Sequence, residues 1–405
     1  MKVAVIGGGA AGFFAAINTK ENFPDSELII FEKSYKVLAK LRISGGGRCN
    51  VTNNCKTIDE LCAGYPRGGR KLKGNFFTFS NQDTIKWFKN RGVATYPQDD
   101  NRVFPVSNDS ETIINCLMNE CTRLGIKIKT GYRVNSVNVL NDSRLEVIFN
   151  DNGQSFIFDK VIVATGGASK DSSLDWLEKL NHKIEKPIPS LFTFKIPNDN
   201  IVKLMGLSVE NTKVSIQSTN LQQSGSLLIT HWGFSGPAVL KLSAFGARII
   251  QEMNYQIKIN VNWINENSYD YAKDQFLELL ADNINKQIIN LRPFSIPSRL
   301  WHYLVAKNDI SQSKTCRELS KKELNRIVNV LTNDEYTVRG RTTFREEFVT
   351  CGGVSLESVN LKTMQSKKVK NLYFAGEVLD IDGITGGYNF QNAWTSGFIA
   401  AKLAD

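Results

Sequence analysis

The residues with the most chemical potential in this chain are glycines set beside hydrogen-bonding side chains. Gly7-Gly8-Gly9-Ala10-Ala11-Gly12 fits G-x-G-x-x-G, a turn that brings main-chain N–H groups against a pyrophosphate. Gly7 permits the tight turn, Gly9 lets phosphates reach the backbone, and Gly12 lets the following helix pack closely on its strand. A second bare stretch is Ser44-Gly45-Gly46-Gly47-Arg48-Cys49-Asn50, preceded by Lys40. Consecutive N–H groups there would form a concavity that holds an anion, at distances a β-carbon would forbid. Thr165-Gly166-Gly167 and Gly386-Gly387-Tyr388-Asn389 are further places where bulky side chains are missing.

The surrounding elements decide what these turns can hold. "KVAVIG" reads as a buried parallel strand, "AAGFFAAINTK" as the helix after it, and "SELIIFEK" as a second strand ending in Glu32 and Lys33. Glu32 lies twenty residues past Gly12, where an acid accepts hydrogen bonds from a ribose. Strand, turn, helix, strand and acid in this order predict dinucleotide binding, with the phosphates at the helix N-terminus. "KVIVATGG" is a third strand leading to Thr165. "GIKIKTGYRVNSVNV" and "RLEVIFNDNGQSFIF" alternate as strands of a small antiparallel crossover, in which the backbone of Val134 is placed to meet an adenine.

The end of the chain returns to this domain, as it often does in FAD enzymes. "NLYFAG" predicts a strand ending at Gly376 and Glu377, and Gly386-Gly387 opens a helix with Ala393, Ser396, Gly397, Ala400 and Ala401 for close packing. Glu377 is expected to bind ribityl hydroxyls. The helix start is expected at the flavin's pyrimidine edge, where the reduced ring carries negative charge.

The expected fold is α/β: a discontinuous Rossmann-like FAD-binding domain of the glutathione-reductase type, residues 1–187 and 345–405. Short alternating runs predict an inserted β-rich domain over 188–262 and 331–344. Apolar residues at steps of three and four predict a small helical domain over 263–330.

Composition is that of a globular protein, and no stretch reaches the length of a membrane span. The net charge of +10 is read as a solvated surface; its densest runs, "RGGRKLK" and "KTMQSKKVK", are short, and nucleic acid is not expected as a partner. Seven cysteines without framework or zinc spacing predict a reducing, cytoplasmic setting and no metal site. Cys49 and Cys55 are separated by five residues, one more than is typical of flavoenzyme dithiols, so a flavin-adjacent Cys49 is the better reading; Cys351 could approach the same site. Among three histidines His231, in "THWGFSGPA", is the candidate proton donor, ahead of His182 and His302.

Over nearly its whole length the chain resembles the BaiN and YhiN-like FAD-dependent oxidoreductases, also known as aminoacetone oxidase-like flavoproteins. The resemblance runs through "GGGAAG", "ISGGGRCNVTN", "DNRVFPVS", "LITHWGFSGPAVLKLS", "TCGGVSLESVN" and "YFAGEVLDIDGITGGYNFQNAWTSG". It implies that residues 40–50 lie along the flavin. It also implies hydride transfer between the flavin and a small organic substrate or NAD(P)H, with oxygen or an unsaturated compound as acceptor. After "ATGGAS" the chain departs from the family's proline and "GSTGDGY", so contacts assigned there do not carry over. No second G-x-G-x-x-G follows a strand, so NAD(P)H, if used, visits transiently. The alternatives are a tRNA-modifying flavoprotein and a flavin-bound interaction protein without turnover.

Overall fold

The first β-branched run forms strand Lys2–Ile6 at the heart of a seven-stranded sheet in the computed structural model, which describes residues 1–149, 153–168, 171–342 and 349–404. The sheet order is Val359–Asn360, Gln365–Ser366, Leu372–Phe374, Lys160–Val163, Lys2–Ile6, Glu27–Glu32 and Lys127–Thr130. The last five strands are parallel, with Ile6 opposite both Val163 and Phe31; the first two form an antiparallel hairpin at one edge. Strands covered on both faces must be apolar throughout, hence the continuous runs "VAVI" and "LIIF".

Helix Ala10–Asn22 follows the first strand, and helix Tyr388–Ala400 packs against it. Gly397 makes that approach possible, since a β-carbon there would stand 3.0 Å from the carbonyl oxygen of Ala11. Phe14 and Trp394 fill the seam with ring centroids 5.2 Å apart. The crossover is a three-stranded antiparallel meander, Val134–Val139, Leu145–Phe149 and Ser155–Phe158, packed on Phe31 through Phe149, Phe156 and Phe158. Lys127–Thr130, read from sequence as part of that crossover, instead extends the parallel sheet.

The chain divides into two compact units, residues 1–190 with 344–405, and residues 191–343. The expected boundary at 344 and 345 lies outside the described residues. In the second unit a seven-stranded antiparallel sheet carries helices Tyr269–Asp282, Ser298–Lys307 and Lys321–Thr332. Their apolar faces share one core with the strands: Phe276, Trp301 and Leu331 lie in the same cluster as Val214, Ile229 and Ile259. The helical segment expected as a domain of its own is thus part of this unit. Residues 237–252, expected within a β-rich stretch, form helices Pro237–Phe245 and Ala247–Glu252; Pro237 at the first helical position was the signal for the former. Among the described residues no helix is long and apolar enough to cross a membrane.

Candidate functional site

The three fingerprint glycines divide into two kinds. A β-carbon on Gly7 (φ +118°) would stand 2.2 Å from the Ala164 carbonyl oxygen, and one on Gly12 would stand 1.9 Å from that of Gly7; both serve packing. One on Gly9 would meet nothing within 4 Å. Gly9 caps helix Ala10–Asn22 with no side chain hydrogen-bonded to the helix start and no acid in the first turn. This is a positive helix terminus with open space before it, suited to phosphate. Glu32 stands beside it, one carboxylate oxygen accepting from the Gly8 N–H (2.8 Å) and the other from the N–H and hydroxyl of Ser34 (2.9 Å each). A carboxylate has lone pairs beyond these three. Lys33 is exposed, and Val134 is half-buried at the start of its strand.

Residues 38–53 run from this turn to the other end of the chain. The Leu38 N–H donates to the Gly8 carbonyl at 2.8 Å. Lys40 pairs with Glu377 at 2.8 Å, joining positions far apart in sequence. After Ser44 the helix is broken by Gly45, Gly46 and Gly47, all left-handed (φ +59°, +69° and +82°). β-Carbons on Gly46 and Gly47 would meet nothing within 4 Å. The Arg48 guanidinium lies over the Phe104 ring, 4.2 Å from its centroid, and Nε donates to the Gly45 carbonyl at 3.1 Å. Asn50, oriented to satisfy both neighbours, donates to the Thr52 carbonyl and accepts from the Gly387 N–H at 3.0 Å each.

That last bond brings in the glycine pair. A β-carbon on Gly387 (φ +92°) would stand 2.4 Å from the Thr52 carbonyl, and Asn53 donates to the Gly386 carbonyl at 3.0 Å. Gly387 caps helix Tyr388–Ala400, again with no side-chain cap and no acid in the first turn. The Asn389 amide is taken up by the N–H and carbonyl of Gly383 (2.8 and 3.0 Å). The Tyr388 ring points inward, where Gly64 makes room for it. Gly376 (φ +77°) meets Ala11, with 2.7 Å between a built β-carbon and that of Ala11. Glu377 accepts from the Thr350 N–H at 2.9 Å and lies beside Gly167. Thr165, between strand Lys160–Val163 and Gly166, has a buried hydroxyl with no partner, which is costly unless something else meets it.

Several supporting residues were not foreseen. Asp382, 0% exposed, receives Nε and Nη2 of Arg67 and the Ser190 hydroxyl (2.7 Å). Burial pushes its carboxyl upward while Arg67 pulls it down. Arg67 and Asp382 also face one another as a backbone bridge, and the Ile384 N–H donates to the Gly64 carbonyl at 2.8 Å. Residues 64–67 therefore hold the loop that leads to the glycine pair. Buried Gln391 accepts from the hydroxyls of Thr52 (2.6 Å) and Thr84 (2.9 Å) and donates to Thr395 (3.0 Å), fixing the helix to residues 51–53. Sequence offered only polar residues on an otherwise small-residue helix as a signal.

Cys49 departs from expectation. Its side chain is 0% exposed, so it offers no surface to a ligand, and burial pushes its thiol up to about 12 despite a hydrogen bond with Ser44. It is a packed thiol rather than a working one. Cys55 is also buried, its sulfur 3.1 Å from the Asn53 amide oxygen and 3.5 Å from the Tyr388 hydroxyl, and burial raises its pKa. Cys351 is buried in strand Val349–Val354, and all seven cysteines are free of disulfides. His231 is exposed in the turn between strands Gln222–Thr230 and Gly233–Ser235 of the second unit, its ring edge-on to Trp232. His302 is exposed on helix Ser298–Lys307. His182 is structural: Ser366 Oγ accepts two backbone N–H groups, so its proton goes to Nε2, leaving Nδ1–H for the Leu177 carbonyl.

Uncapped helix ends, glycines facing open space and an orphaned hydroxyl fit a large phosphate-bearing cofactor, and comparison with known proteins agrees. The model of the HI0933-like protein Rossmann domain matches residues 1–403. A ribosomal RNA dihydrouridine synthase of Haemophilus influenzae is 28% identical, covering 98% of this chain and 96% of its own. A 3-dehydro-bile acid delta(4,6)-reductase of Clostridium scindens is 26% identical, covering 100% and 98%. In fold, the crystal structure of 3-ketosteroid delta1-dehydrogenase from Sterolibacterium denitrificans aligns with a TM-score of 0.53 at 11% identity, covering 99% of this chain and 98% of that one. The chain belongs to the HI0933-like Rossmann family and is an FAD-dependent oxidoreductase.

Proposed function

We propose that this protein reduces a ring carbon–carbon double bond conjugated to a carbonyl. The observation that carries this reading is the pair of relatives just described: saturation of a uracil ring and of a 3-oxo steroid are the same chemistry on different frameworks. FAD, when bound, supplies the two-electron transfer. With NAD(P)H as donor, NAD(P)H and one proton are consumed for each double bond saturated, and the substrate gains two electrons and two protons.

The chain's own residues bind and orient. The N–H groups of Ala10 and Ala11, next to Gly9, would take the pyrophosphate; Glu32 would take the adenosine ribose, with Lys33 and the Val134 backbone toward the adenine. Lys40, Ser44, Gly45–Gly47, Arg48 and Asn50 would hold the flavin portion. Thr165–Gly167 and Gly376–Glu377 would hold it together with them, and the Thr165 hydroxyl would gain there the partner it lacks. The N-terminus of helix Tyr388–Ala400 favours negative charge at the flavin's pyrimidine edge. Glu377, held by Lys40 and the Thr350 N–H, is fixed as an acceptor for ribityl hydroxyls.

Ribosomal RNA is the substrate class we favour over a free small molecule, because the net charge of +10 suits a polyanion. This departs from reading that charge as a solvated surface. The test is anaerobic: FAD-loaded protein is bleached with NADH or NADPH, then offered an unmodified ribosomal RNA transcript, a 3-oxo-Δ4,6 steroid, or air. Reoxidation by the transcript, with its uridine gaining two hydrogens by mass, is expected. Reoxidation by air alone would overturn the proposal.

A further inference from the structure

We propose that the surface formed by helix Gly69–Thr78 and residues 360–370 docks RNA; the proposal rests on ribosomal RNA being the substrate. The two densest basic runs of the chain lie far apart in sequence, and each looked too short to matter. The fold places them together. Asn75, buried at 5% exposure, donates its amide to the Leu361 carbonyl at 2.5 Å, so the helix sits against the second run. Residues 67–78 contain four cations and no acid, and so do residues 360–370. Eight cations from two acid-free segments are therefore brought together on the larger unit.

The charges are available. Arg70, Lys71, Lys362, Lys368 and Lys370 are exposed, and among the described residues none forms an ion pair. Lys73 is drawn toward Asp59, and Arg67 is committed to Asp382. Arg70, Lys73, Gly74 and Phe77 fall at helical steps of three and four, on one face. Phe77 is 70% exposed at the end of that line, and Gly74 places no side chain between it and the cations.

A large aromatic ring left in water on a cationic surface has a specific use. A nucleobase stacks on the ring while its neighbouring phosphates meet the cations. A membrane would call for several apolar side chains on one helix face, whereas Phe77 is the one exposed large apolar residue of these two segments. An acidic peptide would satisfy the charges and leave the ring without a flat partner.

The test uses the full FAD-loaded chain and a labelled, unmodified ribosomal RNA transcript, with binding followed across a salt series. The wild type should bind with a steep salt dependence. The quadruple variant R70E/K71E/K362E/K368E should lose about a hundredfold or more in affinity, its log–log salt slope shrinking by roughly 0.7 for each cation removed from a single-stranded contact. F77A should weaken binding about tenfold with the slope unchanged. All variants should keep bound flavin and the wild-type melting midpoint, because the altered side chains are exposed. Steep wild-type binding that both variants retain would overturn this surface and leave the substrate reading standing. A wild type that neither binds nor reduces the transcript would overturn both. Capture of phosphatidylserine vesicles by the wild type, lost in F77A, without RNA binding would assign the surface to membranes and overturn the proposal.

Discussion

Replacing Gly9 by alanine separates the glycine that faces the cofactor from the two that hold the fold. Gly9 has φ −94° and ψ −172°, an extended conformation open to alanine, and its new methyl group would meet no protein atom within 4 Å. For the apoprotein, the lost freedom of the unfolded chain stabilises by about 0.4–1 kcal/mol. Alanine is a poorer helix cap than glycine by a comparable amount, about 0.5–1 kcal/mol. Apoprotein stability should therefore change by less than about 1 kcal/mol. The same methyl group stands where the pyrophosphate is placed, and overpacking of about 1–3 kcal/mol weakens FAD binding by roughly 5- to 150-fold. Gly12→Ala is the contrast: its β-carbon would stand 1.9 Å from the Gly7 carbonyl oxygen, so the strain, about 1–3 kcal/mol or more, falls on the apoprotein itself. Urea unfolding of the two apoproteins and FAD titration by quenching of flavin fluorescence give both numbers. Wild-type FAD affinity in Gly9→Ala, or apoprotein destabilisation equal to that of Gly12→Ala, would refute the reasoning.

Asp382→Asn keeps the volume but removes the charge opposite a guanidinium that is only 13% exposed, and should cost about 3–5 kcal/mol in urea unfolding; an unchanged midpoint would show that Arg67 finds another partner. Thr165→Val should leave the apoprotein as stable or slightly more so, since the buried hydroxyl has no partner to lose, while weakening FAD binding; equal loss in both would point to a structural role. Burial lowers the pKa of His182 below its ordinary 6.5. The folded state therefore binds fewer protons than the unfolded chain as pH falls through that value, and stability should decline there and be flat above. A His182→Gln variant with the same decline, followed by chemical denaturation across pH, would assign it to other groups.

Legibility in the sequence followed the range of the interactions. Gly7, Gly9 and Gly12, the strands on either side and the acid at Glu32 form one local unit whose spacing is set by strand and helix geometry, so their arrangement could be read directly. The return of the C-terminal helix was legible because its small residues had a physical purpose, close packing on Ala11 and Ala15. Arg67 and Asp382 carried no such sign, because an ion pair between distant residues leaves no periodic trace. Cys49 misled because its place beside the glycines put its thiol at the flavin, whereas its backbone is left-handed (φ +60°) and the thiol is buried. The helix at 237–245 was hidden inside alternating runs, with Gly236-Pro237 as its one local signal. Two basic segments judged separately looked weak, and only the fold could show them side by side.

The most direct test of the account is a crystal structure of the FAD-loaded chain. The account predicts one FAD with its pyrophosphate on the N–H groups of Ala10 and Ala11, and its flavin along residues 44–50 with the pyrimidine edge toward the start of helix Tyr388–Ala400. A pyrophosphate bound elsewhere, with the space before Gly9 filled by water, would contradict it.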